Sequence, residues 1–293
     1  MTLAPTKRSG KTDGDPQPMT PLTLPKSARI DLHMHTNLSD GRYPPDEVLR
    51  RCALAKLDLV AITDHDLPPA WPRGWTEVDG HRLYLLHAAE VSGVYEGTEQ
   101  HLLVYFPGEM PEGFRELCRT QAQLRAERYE IARGRLNLDG VPPADPAARA
   151  GERALTRLHL AQAVAAAGHT KSTREAMDRY LAEGRDLVPN VTLDWFEAIR
   201  IARAHGGLCS WAHPSIDRAK QWTRTFAAAG LQGLEALRPG TGGAYRSQMR
   251  QLARKSNLFL TGGSDFHGWS PGVLGEFAID AQQADGFLRA LAA

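Results

Sequence analysis

The chain has 293 residues, of which 42% are hydrophobic, and a formal net charge of +1. That length holds one large α/β domain or two small ones, and no run is long and apolar enough to cross a bilayer as a helix. Overall charge selects no partner, so a charged ligand would have to be drawn by a local field.

Residues 1–27 mix Pro, Lys, Thr, Gly and Asp without an apolar segment. They read as a disordered leader and not as a signal peptide, so the cytoplasm is the expected location. Cys52, Cys118 and Cys209 form neither a CxxC pair nor a disulfide framework. That pattern suits a reducing compartment, with each thiol a small buried residue.

From Ala28 the chain reads as strands and helices in turn. Ala28–Thr36 is a predicted strand, followed by a turn at Ser39-Asp40-Gly41. Pro44-Pro45-Asp46-Glu47 opens a helix to about Lys56, because proline suits the first helical turn. Leu57–Thr63 is a continuous apolar strand, and Leu83–Val91 and His101–Phe106 are further strands. A long arginine-rich helix is expected over 112–136, with helices near Ala154–Ala167 and Thr173–Ala182. Residues 112–190 contain no good strand and read as a helical insertion in a domain spanning 28–293. Alternation then resumes: helices near Leu193–His205, Ala219–Ala229, Ala244–Lys255 and Ala281–Leu291, with strands at Leu208–Ala212, Gly233–Leu237 and Leu258–Gly262. This rhythm implies a parallel sheet, open or closed into a barrel.

Position carries the chemical signal. His33 and His35 are two apart at the end of the first strand, so their side chains face one volume. Asp40 lies in the next turn and His65 just past the second strand. Glu90 ends the third strand and His101 begins the fourth. His213 closes a later strand, and Asp265 and His267 close the last. Strand ends in a β/α barrel converge on one face, where such residues meet. Six histidines and three carboxylates exceed the needs of one tetrahedral ion. They suffice for two or three divalent ions if a carboxylate bridges. Three ionised carboxylates against two or three dications leave a positive site, suited to phosphate.

The segments His33-Met34-His35, Ser39-Asp40-Gly41, Thr63-Asp64-His65-Asp66, Glu90, His101, Ala212-His213-Pro214 and Ser264-Asp265-Phe266-His267 resemble the PHP (polymerase and histidinol phosphatase) superfamily. The resemblance runs from about Ala28 to His267. It implies a distorted seven-stranded (β/α) barrel with a helical insertion and a trinuclear centre, manganese first, with zinc, iron or magnesium as alternatives. It further implies that His33, His35, Glu90 and Asp265 hold one ion, and that Asp40, His65 and His267 hold a second. Glu90 would bridge to a third, completed by His101 and His213. The residues alone support the set without assigning ligands to ions.

The insert resembles the branch with nucleoside 3′,5′-bisphosphate phosphatases and 5′→3′ exoribonucleases, whose basic residues grip substrate phosphates. The counterparts here are Arg125, Arg128, Arg157 and His159. Arg125 and Arg128 share a helix face, whereas Arg157 and His159 cannot both point one way. Solvated helix arginines are the plain alternative. Leu67–Trp75 departs from the family's small-residue pattern there.

The function expected is hydrolysis of a phosphate ester on a nucleotide or short 5′-phosphorylated RNA through a metal-bound hydroxide. His213, His65 and Asp265 are the catalytic candidates. The alternatives are a phosphatase of a small metabolite such as histidinol phosphate, or a metal-stabilised module without turnover. No membrane and no obligate protein partner is expected. Asp66 reads as a turn cap, and Asp64 as either a cap or a support for His65. Trp71 and Trp75 read as packing under a loop. His81, His87, His169 and His205 match no ligand position.

Overall fold

The computed structural model describes residues 22–182, 187–269 and 272–293. The first 21 residues of the expected leader lie outside the described residues. Among the described residues the strands are β1 (Ile30–Asp31), β2 (Leu59–Ala61), β3 (Gly74–Val78), β4 (His81–Tyr95), β5 (Thr98–Phe106), β6 (Leu208–Trp211), β7 (Gly233–Leu237) and β8 (Phe259–Gly262). Seven follow one path, β1-β2-β4-β5-β6-β7-β8, and β3 pairs with β4 off that path. The path nearly closes on itself. Leu32 N–H donates to Gly262 O at 3.2 Å, and Met34 bridges Phe266. The fold is thus the distorted seven-stranded barrel that the sequence implied.

The sheet is mixed rather than parallel. β1, β2 and β4 are parallel, as are β6, β7 and β8, but β5 runs antiparallel to both β4 and β6. Two tight turns make the hairpins on either side of β4. Asp79-Gly80 joins β3 to β4, and Glu96-Gly97 joins β4 to β5. All four residues have positive φ, the backbone of a type I′ turn, whose twist matches that of a hairpin. The β3 hairpin arm falls on Gly74–Val78, where no strand was expected. The first strand is shorter than predicted because residues after Asp31 leave β2 and bond to the segment after β8. His35 N–H donates to Phe266 O, and Asp265 N–H to His33 O.

The helices are α1 (Pro45–Leu54), α2 (Glu112–Leu136), α3 (Pro146–Arg149), α4 (Arg157–Ala166), α5 (Thr173–Ala176), α6 (Trp195–Ala204), α7 (Ile216–Ala228), α8 (Gly243–Lys255) and α9 (Asp285–Ala292). A π-helical turn, Met177–Leu181, continues α5. Helices α2 to α5 all fall within 112–190, where the described residues contain no strand. They have their own apolar cluster, including Tyr129, Ala132, Leu160 and Val164.

Period-two burial sets the layers. On β5, Leu102, Val104 and Phe106 pack outward with α6 and α7 residues such as Trp195 and Phe226. Leu103 and Tyr105 point inward, with Leu86 and Ala88 of β4 and Phe287 of α9. Glu90 and His101 continue these inward series, at i+2 from Ala88 and i−2 from Leu103. The antiparallel pairing puts the start of β5 at the same barrel end as the C-terminal part of β4.

One close approach ties the closing seam to this end. A Cβ built on Gly263 would lie 2.4 Å from His33 Cβ and 2.5 Å from its backbone nitrogen. Gly263→Ala should therefore destabilise the protein by about 1–3 kcal/mol and lower its bound metal, read by urea denaturation and elemental analysis. Unchanged stability and metal content would mean that this contact is not a constraint.

Candidate metal centre

The barrel end gathers all nine sequence-predicted side chains into overlapping groups whose potential donor atoms lie within 4.8 Å of one another. His33 and His35 follow β1, His65 follows β2, His213 follows β6, and Asp265 and His267 follow β8. Two of the nine sit on strained backbone: His213 has φ 34 and Asp265 φ 52. Such conformations cost of order 1–3 kcal/mol and persist where the surroundings impose them.

Two of three sub-clusters share Glu90, and the third gathers round Asp40. His33 Nε2 and His35 Nε2 are 3.1 Å apart. Each lies 3.3 Å from Glu90 Oε2 and 3.4 Å from Asp265 Oδ1. On the other carboxylate oxygen, Glu90 Oε1 is 3.1 Å from both His101 Nδ1 and His213 Nε2. Those two nitrogens are 3.4 Å apart. Asp40 faces His267 Nε2 at 3.2 Å, His65 Nε2 at 3.5 Å and His35 Nδ1 at 3.7 Å.

The electrostatics are those of a site built for cations. Burial would raise Glu90, Asp40 and Asp265, but the surrounding imidazoles hold all three well below the usual carboxylate range. Burial would likewise lower the imidazoles. At His35, the facing Asp265 and Glu90 carboxylates overcome it and raise the ring to about 10. At His101, the charge of Glu90 and hydrogen bonds to Glu90 and Glu99 do the same, again to about 10. His65 goes the other way, because burial outweighs its acidic neighbours. Without cations, protons answer the negative potential.

Divalent ions fit this donor set. Glu90 Oε2, Asp40 Oδ1 and His65 Nδ1 are buried with no hydrogen-bond partner. Glu90 Oε2 nevertheless has three imidazole nitrogens within 3.3 Å. Buried polar atoms are ordinarily satisfied, and atoms that crowd without bonding one another are satisfied by a cation between them. Mixed imidazole and carboxylate donors suit manganese, iron and zinc alike.

The PHP domain family model matches residues 31–183. The chain belongs to the PHP family. The 5′-3′ exoribonuclease Rnm of Salmonella typhimurium is 30% identical over 247 residues, 81% of this chain and 84% of that one. The 3′,5′-nucleoside bisphosphate phosphatase of Chromobacterium violaceum is 26% identical, over 82% of this chain and 87% of the relative. A solved structure from Bifidobacterium adolescentis, described as a metal-dependent phosphoesterase, superposes with a TM-score of 0.72 at 25% identity. It covers 91% of this chain and 98% of that one. This PHP protein is accordingly an enzyme, a phosphoester hydrolase of the family.

Residues that motif reading did not single out support the centre. Glu235, fully buried on β7, accepts from His33 Nδ1 at 2.9 Å and from the His213 backbone N–H at 2.8 Å. It thereby orients one imidazole and the strained turn of another. A carboxylate inside the apolar run Gly233–Leu237 was the available signal. Asp31, pushed up to about 6 by burial, accepts from the backbone N–H of Ser264 and of His33. Asp64 does not reach His65. It accepts from Thr36 N–H, Thr36 Oγ1 and Ser39 Oγ at 2.6–2.7 Å, fixing the loop that delivers Asp40.

The other histidines serve the backbone. Ring nitrogens of His81, His87, His169 and His205 donate to the carbonyls of Leu57, Trp71, Asp139 and Ile201. Trp75 packs edge-on against Tyr84.

The insert supplies one wall of a cleft of about 350 Å³ that also contains Asp40, His65 and His101. Arg125, Arg128 and Arg157 line it, but they are not equivalent. Arg125 is buried, with Nε 2.5 Å from Asp66 Oδ2 and Nη2 2.6 Å from Ser92 Oγ. In the expected Arg125–Arg128 phosphate clamp, Arg125 is thus already paired with the Asp66 carboxylate. Asp66 also accepts from Ser92 N–H at 2.9 Å, so it is a brace more than a turn cap. His159 is likewise committed. Its Nδ1 accepts from Thr156 N–H at 3.0 Å in a capping box at the start of α4. Burial and the charge of Arg153 lower it to about 4, leaving it neutral. Arg128 and Arg157 converge instead on Glu99, at 2.7 and 3.4 Å.

Two outcomes test these assignments. Cations compete with the protons that His35 and His101 otherwise keep, so manganese affinity should rise with pH from 6 to 8, by up to about tenfold per unit for each proton released. Chelator competition measures it, and a flat profile would remove the imidazoles from the site. Arg125→Leu should cost about 3–5 kcal/mol, because it strands the buried Asp66 carboxylate. Intact stability with a raised KM would return Arg125 to substrate binding.

Proposed function

We propose that this enzyme removes or cleaves a phosphate ester on a nucleotide that carries a second phosphate, either a nucleoside 3′,5′-bisphosphate or a short 5′-phosphorylated RNA. One observation carries the reading: a single cleft runs from Asp40, His65 and His101 to Arg128 and Arg157 of the insert. A phosphate at the metal cluster thus has room for a second anion beside two guanidinium groups. The names of the exoribonuclease and bisphosphate phosphatase relatives support the same class.

In this reading His33, His35, Glu90 and Asp265 hold one ion, Asp40, His65 and His267 a second, and Glu90, His101 and His213 a third. Bound divalent ions supply Lewis acidity and lower the pKa of water toward neutrality. Glu90 fixes the spacing by offering one oxygen to each of two clusters. Glu235 holds His33 through Nδ1, so that Nε2 turns to the cluster. His213 and Asp265, with side chains 29% and 30% exposed, are the candidates that reach solvent. His213 Nδ1, the nitrogen turned from Glu90, is the atom proposed to pass a proton to the leaving oxygen. His65, kept neutral by burial, acts as a ligand. Arg157 binds the second phosphate bidentately, as its planar fork allows.

A kinetic panel of adenosine 3′,5′-bisphosphate, short 5′-phosphorylated RNA and histidinol phosphate in Mn²⁺ tests the proposal. Preference for histidinol phosphate would end it, and no turnover by metal-loaded protein would favour the module without activity. In the same panel Arg157→Ala should raise KM for the bisphosphate roughly tenfold or more, with kcat changed less. It should leave a monophosphate nearly unaffected. Equal loss on both substrates would place Arg157 outside the second-phosphate site.

A further inference from the structure

Glu99 is the second residue of β5 and lies two before His101, so both project from the same strand face. Its Oε1 is 3.4 Å from His101 Nε2. Its Oε2 accepts from Arg128 Nη2 at 2.7 Å and from Arg157 Nη2 at 3.4 Å. The side chain is only 12% exposed. One barrel carboxylate therefore faces two guanidinium groups carried by two different helices of the insert, at the edge of the metal cluster. A carboxylate meets guanidinium through the same fork of oxygens that a phosphate offers. Glu99 thus occupies the place between the arginines that a second substrate phosphate would claim.

We infer that Glu99 is a specificity-determining residue, an internal anion that holds Arg128 and Arg157 and yields Arg157 only to a second phosphate. The inference rests on the functional reading above. The two arginines differ in freedom. Arg128 is also tied through Nε to the carbonyl of Pro189 and is mostly buried, so it stays. Arg157 is one-third exposed and more weakly engaged, so it makes the exchange. With Glu99 present the trio carries one net positive charge. A phosphate dianion competes for Arg157, while a weaker anion leaves Arg157 on Glu99. A monophosphate engaged at the metals offers nothing in exchange and gains nothing from the arginines.

Glu99→Gln tests this, because it keeps the shape and an oxygen for His101 but removes the competing charge. In the metal-loaded enzyme KM for adenosine 3′,5′-bisphosphate should fall roughly tenfold with kcat within about twofold. Calorimetric affinity for inorganic sulfate should rise by a similar factor. Arg157→Ala should reverse most of both gains in the double variant, a coupling that a purely structural residue would not produce. Should Glu99→Gln lose metal, Glu99→Asp keeps a charge near His101 while withdrawing it from the arginines, and should shift both readouts in the same direction by less. Unchanged or weaker sulfate affinity in a variant with full metal content overturns the inference. If the wild type turns over no bisphosphate, yet sulfate binds the Gln variant more tightly through Arg157, the functional reading falls and the internal-anion role of Glu99 stands.

Discussion

Glu90 is fully buried on the inner face of β4, and its two oxygens look at different groups of imidazoles. A lone ionised carboxylate in that position would be prohibitively costly, so it exists only with positive charge gathered round it. The barrel end is organised to provide that charge. Histidines arrive from the ends of β1, β2, β6 and β8 and from the start of β5, and Glu235 and Asp31 brace the loops that carry them. Strain at His213 and Asp265 persists because the bonds made by these neighbours impose it. The same surplus of acceptors that holds protons on His35 and His101 without metal is what cations would neutralise.

The antiparallel β4–β5 hairpin has a consequence beyond topology. In a uniformly parallel barrel, a strand's first residues lie at the end away from the active face. Reversing β5 brings its opening residues to that face, directly beside the end of β4. His101 and Glu99 therefore enter the site from the beginning of their strand. The turn Glu96-Gly97, with its left-handed backbone, is the local cause. It links a four-residue stretch of sequence to the placement of one proposed ligand and of the anion that meets the insert.

Much of this was readable from the amino acids, and for a definite reason. Six of the nine clustered residues follow strand ends, where polar side chains in an apolar context stand out and a barrel makes them converge, whereas Glu90 and His101, expected at strand ends, lie within β4 and β5. The long helix Glu112–Leu136 and the strand Gly233–Leu237 were legible because each lies between clear breaks in the pattern. Three things were not. The pairing of Arg125 with Asp66 spans 59 residues and has no local mark, so Arg125 looked like a free cation on a helix face. Glu235 lies inside a short apolar strand, where one acid reads as an irregularity until the barrel brings His33 beside it. The hairpin arm Gly74–Val78 lies in a polar, proline-flanked stretch that alternation rules pass over, although Asp79-Gly80 marks its turn.

In the proposed function the insert's arginines divide anchoring from recognition. Arg125 joins α2 to the barrel through Asp66 and Ser92, and Arg128 lies about one helical turn further along the same face. Once the first is clamped, the second has little choice of position. Its remaining freedom is removed by Pro189 and Glu99. Arg157, brought in on a separate helix whose start is fixed by the Thr156–His159 cap, is left as the exposed and loosely held member. In the proposed reading, a substrate phosphate entering the cleft meets one rigid guanidinium and one that can change partners. Rigidity sets where the second anion must lie relative to the metal cluster, and the exchange at Glu99 sets how strong an anion must be to remain there. Selection by geometry and selection by charge thus fall to different side chains.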